Sequence, residues 1–332
     1  MFNIFVRRIK VAVGTRQVMV RRVKTVSLWF GAALGFTYVI SNIRVFPEQD
    51  FFKPYDHKIT PIDFNFRILP QYHCHGWEDV DLVVMIFSVV GNRERRDAVR
   101  HTWGRVARRG SWPGVSMQGR VRLIFLFGET NNPTQEARLK EEAEEQNDIV
   151  QAGYIESYQN LTYKTLVGFK WLREYCPQTE YVMKVDDDVF VHLPRVFAKL
   201  NYGDWSKGIA GSVVRSATKK FFGKYSIVNY PYLMLPEYAS GPMYVMPKRI
   251  AVNILNISEY MVLTNMEDVH VTGILAKAIG AGHVAFSRED YDPYAAPQVC
   301  DFVLSKKLGG QMVDPPLAHR IWKTIQKRTP CS

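Results

Sequence analysis

No acidic residue occurs in the first 44 positions of this chain, while eight basic ones do: Arg7, Arg8, Lys10, Arg16, Arg21, Arg22, Lys24 and Arg44. That absence accounts for most of the formal net charge of +11. Setting those eight aside from 43 Lys+Arg leaves 35 against 32 Asp+Glu, a surplus of only +3. The basicity is a tail, the body is near balance, and a nucleic-acid groove is not implied. Cysteine is scarce as well. Cys74, Cys176, Cys300 and Cys331 are the four, an even number open to three pairings. Cys74 with Cys176 and Cys300 with Cys331 is the pairing we expect. His73-Cys74-His75 is too tightly spaced for a typical zinc site. The chain has no internal repeat and no low-complexity tract. Its 332 residues therefore suit one large α/β domain with appendages.

Charge is also missing from residues 25–43, TVSLWFGAALGFTYVISNI. At ~1.5 Å per residue this stretch reaches about 28 Å, close to a bilayer core of ~30 Å. Basic residues crowd its amino side, which places the N-terminus in the cytosol. A cleaved signal peptide is the competing reading, but the apolar and basic regions are long for one and no small-x-small site follows. Gly31 and Gly35 form a GxxxG, the pattern that pairs helices in a homodimer, although one such pair arises readily by chance. The expected organisation is a cytosolic basic tail (1–24), a transmembrane signal anchor (25–43), a lumenal stem (44–78) and a lumenal body (79–332). Sequons at Asn160-Leu-Thr162 and Asn256-Ile-Ser258 agree with a lumenal body and make Asn160 and Asn256 candidate N-glycosylation sites.

Within the body, Val80–Val90 is a near-continuous apolar run, as expected of a strand buried on both faces. Arg93–Trp103 has helical character, Val121–Phe127 reads as a strand, Pro133–Gln146 as an exposed acidic helix and Ile149–Ile155 as another strand. Leu161–Tyr175 is an amphipathic helix, and Tyr181–Val185 is a strand. Alternation of this kind argues for a mostly parallel sheet with helices on both faces. The C-terminal half is less regular, with a strand near Pro242–Met246 and a helix from about Glu267 to Ile279.

The run YVMKVDDDVF (181–190) drives an apolar strand into three carboxylates. Asp186, Asp187 and Asp188 repel one another unless a cation sits among them. Hard oxygen ligands of this type suit Mn²⁺ or Mg²⁺ bridging to phosphate, at the carboxyl edge of an α/β sheet. A solvated acidic turn is the plainer reading. An EF-hand is excluded, since neither the loop glycine nor the closing glutamate is present. Arg96 and Arg100 stand four apart on the helix after the first strand, where they suit a diphosphate or ribose or simply a solvated basic face. Glu267-Asp268 opens a helix. Acids there complement the helix dipole, or one of them points into a cleft as a general base. Tyr238-Ala-Ser-Gly241-Pro-Met-Tyr244 either lets a sugar ring approach the backbone or is an ordinary turn.

The order RRDAVRHTWG (95–104), NLTYKT (160–165), YVMKVDDDVFV (181–191), YASGPMYV (238–245) and MEDVHVTG (266–273) resembles the β1,3-galactosyltransferase and β1,3-N-acetylglucosaminyltransferase family, glycosyltransferase family 31. The resemblance runs from about Val80 to about residue 286. It implies a GT-A-type α/β fold and an inverting transferase in the Golgi membrane, single-pass type II, with residues 79–332 as the catalytic domain. It also implies Mn²⁺, a UDP-sugar donor of galactose, GlcNAc or GalNAc type, and a glycan acceptor on a glycolipid or glycoprotein. By the same resemblance Asp186 and Asp188 hold the metal, Asp187 contacts donor ribose or sugar, and Arg96 and Arg100 lie near the nucleotide. Asp268 looks like the catalytic base, with Glu267, Tyr238 and Gly241 on the acceptor side. Three departures stand out. Ala239 replaces the family's usual Cys ahead of Gly241-Pro242-Met243, and His270 replaces a Tyr. Ser305 and Lys306 fall where many members carry a metal-binding His, and His319 does not match the usual spacing. The third metal ligand is therefore unassigned, and a catalytically silent module of the same fold is the competing function.

Overall fold

The structure is a computed structural model, and it describes residues 48–71, 74, 80–109, 111–117, 119–328 and 331. The expected tail (1–24) and membrane span (25–43) lie outside these residues. Among the described residues no helix is long and apolar enough to cross a membrane. Residues 51–332 form one compact unit.

Strands β1 (Phe66–Ile68), β2 (Leu82–Phe87), β3 (Val121–Glu129), β4 (Ile149–Ile155), β5 (Tyr181–Asp186), β7 (Gly208–Val214), β8 (Tyr238–Pro247) and β9 (Gly282–Ala285) build an eight-stranded sheet, ordered β1-β4-β3-β2-β5-β8-β7-β9. Two short strands, β6 (Phe190–Val191) and β10 (Gly309–Gly310), pair separately. β2 is buried at every position, so its backbone needs strand partners on both sides. It pairs in parallel with β3 and β5. β8 runs antiparallel to both β5 and β7. The expected parallel core, β4-β3-β2-β5, is present, and antiparallel pairs flank it at β1–β4 and β5–β8.

Helices α1 (Arg93–His101), α2 (Pro133–Gln146), α3 (Leu161–Tyr175), α4 (Leu193–Tyr202), α5 (Lys248–Ser258), α6 (Val299–Val303) and α7 (Pro315–Lys327) cover the two faces. Alternate side chains of β2 serve different cores because strand residues point to opposite faces. Leu82, Val84 and Ile86 pack with Ala98 and Val99 of α1 and Ile321 of α7. Val83, Met85 and Phe87 pack with Leu166 and Phe169 of α3 and Ile254 of α5. Local chemistry sets the ends of α2. The Asn132 side chain accepts from the Thr134 and Gln135 amides, Pro133 takes the first turn, and Asn147 closes the helix at φ 56°, as capping residues do.

The C-terminal elements depart from the sequence reading. The strand expected at 242–246 extends to Tyr238–Pro247, and the helix expected from Glu267 does begin there but is π-helical over Val269–Leu275. The expected stem also contributes to the body. Phe52 and Ile62 are buried, β1 pairs with β4, and the Tyr55 and Ile59 amides donate to Tyr260 and Glu259. Residues 51–71 lack a period but supply apolar area, and that suffices to dock them. Both expected disulfides form, Cys74–Cys176 and Cys300–Cys331. The first closes a separation of 102 residues, which in chain-entropy terms contributes about 4.7 kcal/mol.

Candidate active site

β5 carries its buried residues, Val182 to Val185, between β2 and β8, then emerges at Asp186. Lys184 lies two residues earlier and so on the same face as Asp186. A buried ammonium must be paired, and Lys184 Nζ donates to Asp186 Oδ1 and to the Gly241 carbonyl on β8, 4.6 Å from the Phe87 ring centroid. Burial pushes this lysine down, but Asp186, Glu267 and Asp268 outweigh it, and its pKa is held above the ordinary value. On the other side of the same glycine, the Gly241 amide donates to Asp268 Oδ2 at 3.0 Å. A single backbone residue thus bridges the first aspartate of the triplet, through Lys184, to Asp268.

Asp268 is half-buried and caps the π-helical segment through the Val269 amide, 2.9 Å from Oδ1. Burial is the main cause of its raised pKa, opposed by those two backbone amides. Its neighbour faces the other way. Glu267 is buried and accepts from Thr165 Oγ1 at 2.7 Å and Tyr244 OH at 2.6 Å. Burial raises its pKa to about 7. The expected acceptor-side role of Glu267 is therefore corrected, because this carboxyl sits behind the site. Tyr238 is half-buried, with its pKa pushed to about 12 by burial and then Asp268. Tyr158, 41% exposed, is raised to about 12 by burial, then by Tyr225, Asp268 and Asp186. Tyr238 lies three residues before Gly241, whose amide holds Asp268, and Gln159, next to Tyr158, accepts from Asn265, three residues before Asp268.

The triplet divides its labour. Asp188 is partly exposed, and burial, followed by the charges of Asp186 and Asp187, raises its pKa against Arg95. Asp187 turns inward, accepting from Ser88 Oγ at 2.7 Å and Asn92 Nδ2 at 3.0 Å. The expected contact of Asp187 with donor ribose or sugar is replaced by a role in holding the turn against α1. Arg96 and Arg100 also differ from expectation. Arg96 makes a bidentate pair with Glu142 at 2.7 and 2.6 Å and donates to Ser88 Oγ and the carbonyls of Val89 and Val90. Arg100 is bidentate to Asp148 at 2.9 Å and also meets Asp97 and Glu142. Both guanidinia are buried and tie α1 to α2; all five donors of Arg96 and four of the five of Arg100 meet carboxylates, carbonyls or a hydroxyl. The arginine that faces the aspartates is Arg95, whose Nη1 lies 3.6 Å from both Asp187 and Asp188.

Lys184 and Arg95 are the functional residues that the sequence reading did not single out. A lysine inside an otherwise apolar strand, two positions before a carboxylate, was a visible signal for the first. Arg95 had none, because helix phase relative to the aspartates depends on packing. The departures lie mostly off the site. Ala239 is buried and exchanges hydrogen bonds with Thr272 Oγ1. His270 is buried, and burial pushes its pKa down to about 3. The Ser305 carbonyl is held by Arg195 and the Lys306 amide donates to Asp301, while His319 is exposed. Of the sequon asparagines, Asn160 gives its amide to the Ile155 carbonyl and its Thr162 is buried, whereas Asn256 is exposed.

Among the described residues no cluster of three His, Cys, Asp or Glu side chains forms a complete metal cage. The chemistry present nonetheless fits a hard divalent cation of the kind that relies on one or two carboxylates plus phosphate and water. Asp188 carries negative charge that Arg95, at 3.6 Å, does not fully compensate.

An α/β sheet whose parallel core ends in an acidic turn facing a second, half-buried aspartate defines a nucleotide-sugar type of site. The Galactosyltransferase family profile matches residues 94–287, and the chain belongs to that family. It is 28% identical over 258 residues to the lactosylceramide 1,3-N-acetyl-beta-D-glucosaminyltransferase A of Xenopus laevis, covering 73% of this chain and 66% of that relative. It is 33% identical over 221 residues to beta-1,3-galactosyltransferase 5 of Mus musculus, covering 64% and 68%. Among solved structures, a glycosyltransferase involved in the glycosylation of the major capsid of PBCV-1 aligns with 73% of this chain and 98% of that one at 7% identity and a TM-score of 0.37, too loose a likeness to add to the argument.

Proposed function

We propose that this protein is an inverting, UDP-sugar-dependent β1,3-glycosyltransferase that moves galactose or an N-acetylhexosamine to a hydroxyl of an acceptor glycan, acting on the lumenal side of the Golgi membrane. The observation that carries the reading is the Gly241 bridge, which sets Asp268 across from the acidic turn at the end of β5. Asp188 and the outer oxygen of Asp186 are the groups suited to holding Mn²⁺ or Mg²⁺. A cation there would supply Lewis-acid neutralisation of the departing diphosphate.

The protein's own residues do the rest. Burial pushes the Asp186 carboxyl up, and Lys184 opposes that shift and fixes the carboxylate in direction. Asp268 accepts the proton of the attacking hydroxyl, and its partial burial raises its basicity toward the range a general base needs. The two amides on its oxygens fix the carboxylate plane while leaving lone pairs toward the cleft. The displacement passes through an oxocarbenium-like state, as in glycoside hydrolysis. Tyr158 and Tyr238 wall the acceptor side. The names of the relatives, a galactosyltransferase and an N-acetylglucosaminyltransferase, support the linkage and the two donor classes.

Calorimetric titration of the full-length chain with UDP, with and without Mn²⁺, followed by a UDP-sugar panel against neutral and acidic glycans, tests the reading. Metal-dependent UDP binding and acceptor-dependent UDP release are expected. Binding that is absent, or indifferent to the metal, assigns the chain instead to the silent-module alternative.

A further inference from the structure

The connection from β7 to β8, residues 215–237, contains Arg215, Lys219, Lys220 and Lys224 and one acid, Glu237, whose carboxylate lies 3.8 Å from Arg215. Its net charge of +3 equals the whole surplus of residues 45–332, so the rest of the body is in balance. The positive charge of the body is thus concentrated in one loop. It turns at Gly223, φ 83°, and presents Phe221 and Phe222, 62% and 90% exposed.

The lysines lie on aromatic faces. Lys220 Nζ is 5.1 Å from the Tyr225 ring centroid, and Lys224 Nζ is 4.7 Å from that of Tyr158 and 5.6 Å from that of Tyr225. Stacking of this kind orders the methylene stems and leaves the ammonium groups free to meet an anion. Among the described residues neither Lys220 nor Lys224 has a carboxylate partner.

Hydrogen bonds fasten this loop to the site. Asn265, three residues before Asp268, donates to the Ser226 carbonyl at 3.0 Å and to Gln159 Oε1 at 2.6 Å, and accepts from the Val228 amide at 2.9 Å. A second tie runs from Asn229 Nδ2 to the Leu263 carbonyl at 3.1 Å. Tyr225 is thereby set near Tyr158, with Lys224 over both rings, and the Gln159–Asn265 bond ties that pair to the segment that carries Asp268.

We infer that the Lys219–Tyr225 loop recognises an anionic group, a carboxylate or a sulfate, on the acceptor glycan. This rests on the transferase reading above and deepens it. An acceptor whose hydroxyl reaches Asp268 and whose chain passes Tyr158 meets Lys224 first and Lys220 next. Tyr158 and Tyr225 hold the two lysines in place. Lys224 leans over Tyr158, beside the Gln159–Asn265 tie, whereas a lipid surface calls for cations and rings on one outward face.

The test uses the full-length chain with UDP and Mn²⁺ on an array of oligosaccharide pairs that differ only in one carboxylate or one sulfate. Tighter retention of the anionic member is expected, weakening as salt rises. In K220E/K224E the preference should fall roughly tenfold, as two exposed pairs allow, with UDP affinity and the neutral members unchanged. A response limited to carboxylates or to sulfates identifies the anion. Equal retention of both members, or a preference that survives in K220E/K224E, overturns the proposal. Binding of phosphatidylserine vesicles that the variant loses, without any glycan preference, also overturns it and assigns the loop to lipid. Failure of the transferase reading is distinct, since UDP itself then does not bind.

Discussion

Two buried glutamates on opposite sides of the sheet shift in opposite directions. Glu142 on α2 is pushed up by burial, but Arg96 and Arg100 outweigh this and hold its pKa below the ordinary value. Glu267 hydrogen-bonds only to the hydroxyls of Thr165 and Tyr244, and burial outweighs the charge of Lys184 and leaves it at about 7. The first environment is closed, with every guanidinium facing carboxylates or carbonyls. The second lies directly behind Asp268, beside an acidic turn that lacks enough cations of its own. Saturated charge marks a structural joint, and charge in excess of its partners marks a place built to meet a ligand.

The comparison breaks most sharply at Arg96. Arg96→Ala leaves Glu142 buried beside one arginine fewer and should cost about 3–5 kcal/mol, read as a lowered melting temperature. An unchanged melting temperature would show that the joint is not structural. Asp268→Asn keeps the shape and should leave UDP-sugar affinity intact while turnover falls ~10²-fold or more, close to 2.7 kcal/mol of barrier. Near-normal turnover removes Asp268 as the base.

Glu267 offers a sign test. Its folded value lies above the ordinary 4.5, so the stability it contributes is complete below pH 4.5 and is lost as pH rises through about 7. Glu267→Gln should flatten the fall in melting temperature over that window; a variant that keeps the wild-type slope shows that other groups cause it. Arg95→Ala should have the smallest effect. It is expected to weaken UDP binding a few-fold, as a part-exposed cation does, with stability unchanged within about 0.5 kcal/mol. A large melting shift would place Arg95 with the joint instead.

Much of this was legible in the sequence. Ile149–Ile155 and Leu161–Tyr175 fall where their apolar patterns put them, because strands and helices that bury one set of residues betray their period. The acid triplet at the end of β5 and the half-buried Asp268 were visible as carboxylates in unlikely company. Arg96 and Arg100 misled because an R-x-x-x-R spacing gives only a shared helix face. It does not say whether that face meets solvent, nucleotide or the acids of α2. The expected stem misled for a related reason, since its aromatics carry no period from which docking can be read.

The sequence by itself determined the alternating apolar segments, the family and the charge of each region, because burial and composition are written locally. Only the tertiary structure decided which charges neutralise one another. Lys184, Gly241 and Asp268 come from β5, β8 and the start of the π-helical segment, and α1 meets α2 across 46 residues of chain at Arg96 and Glu142. Coulomb energy depends on separation in space and on local desolvation, and neither can be read along the chain.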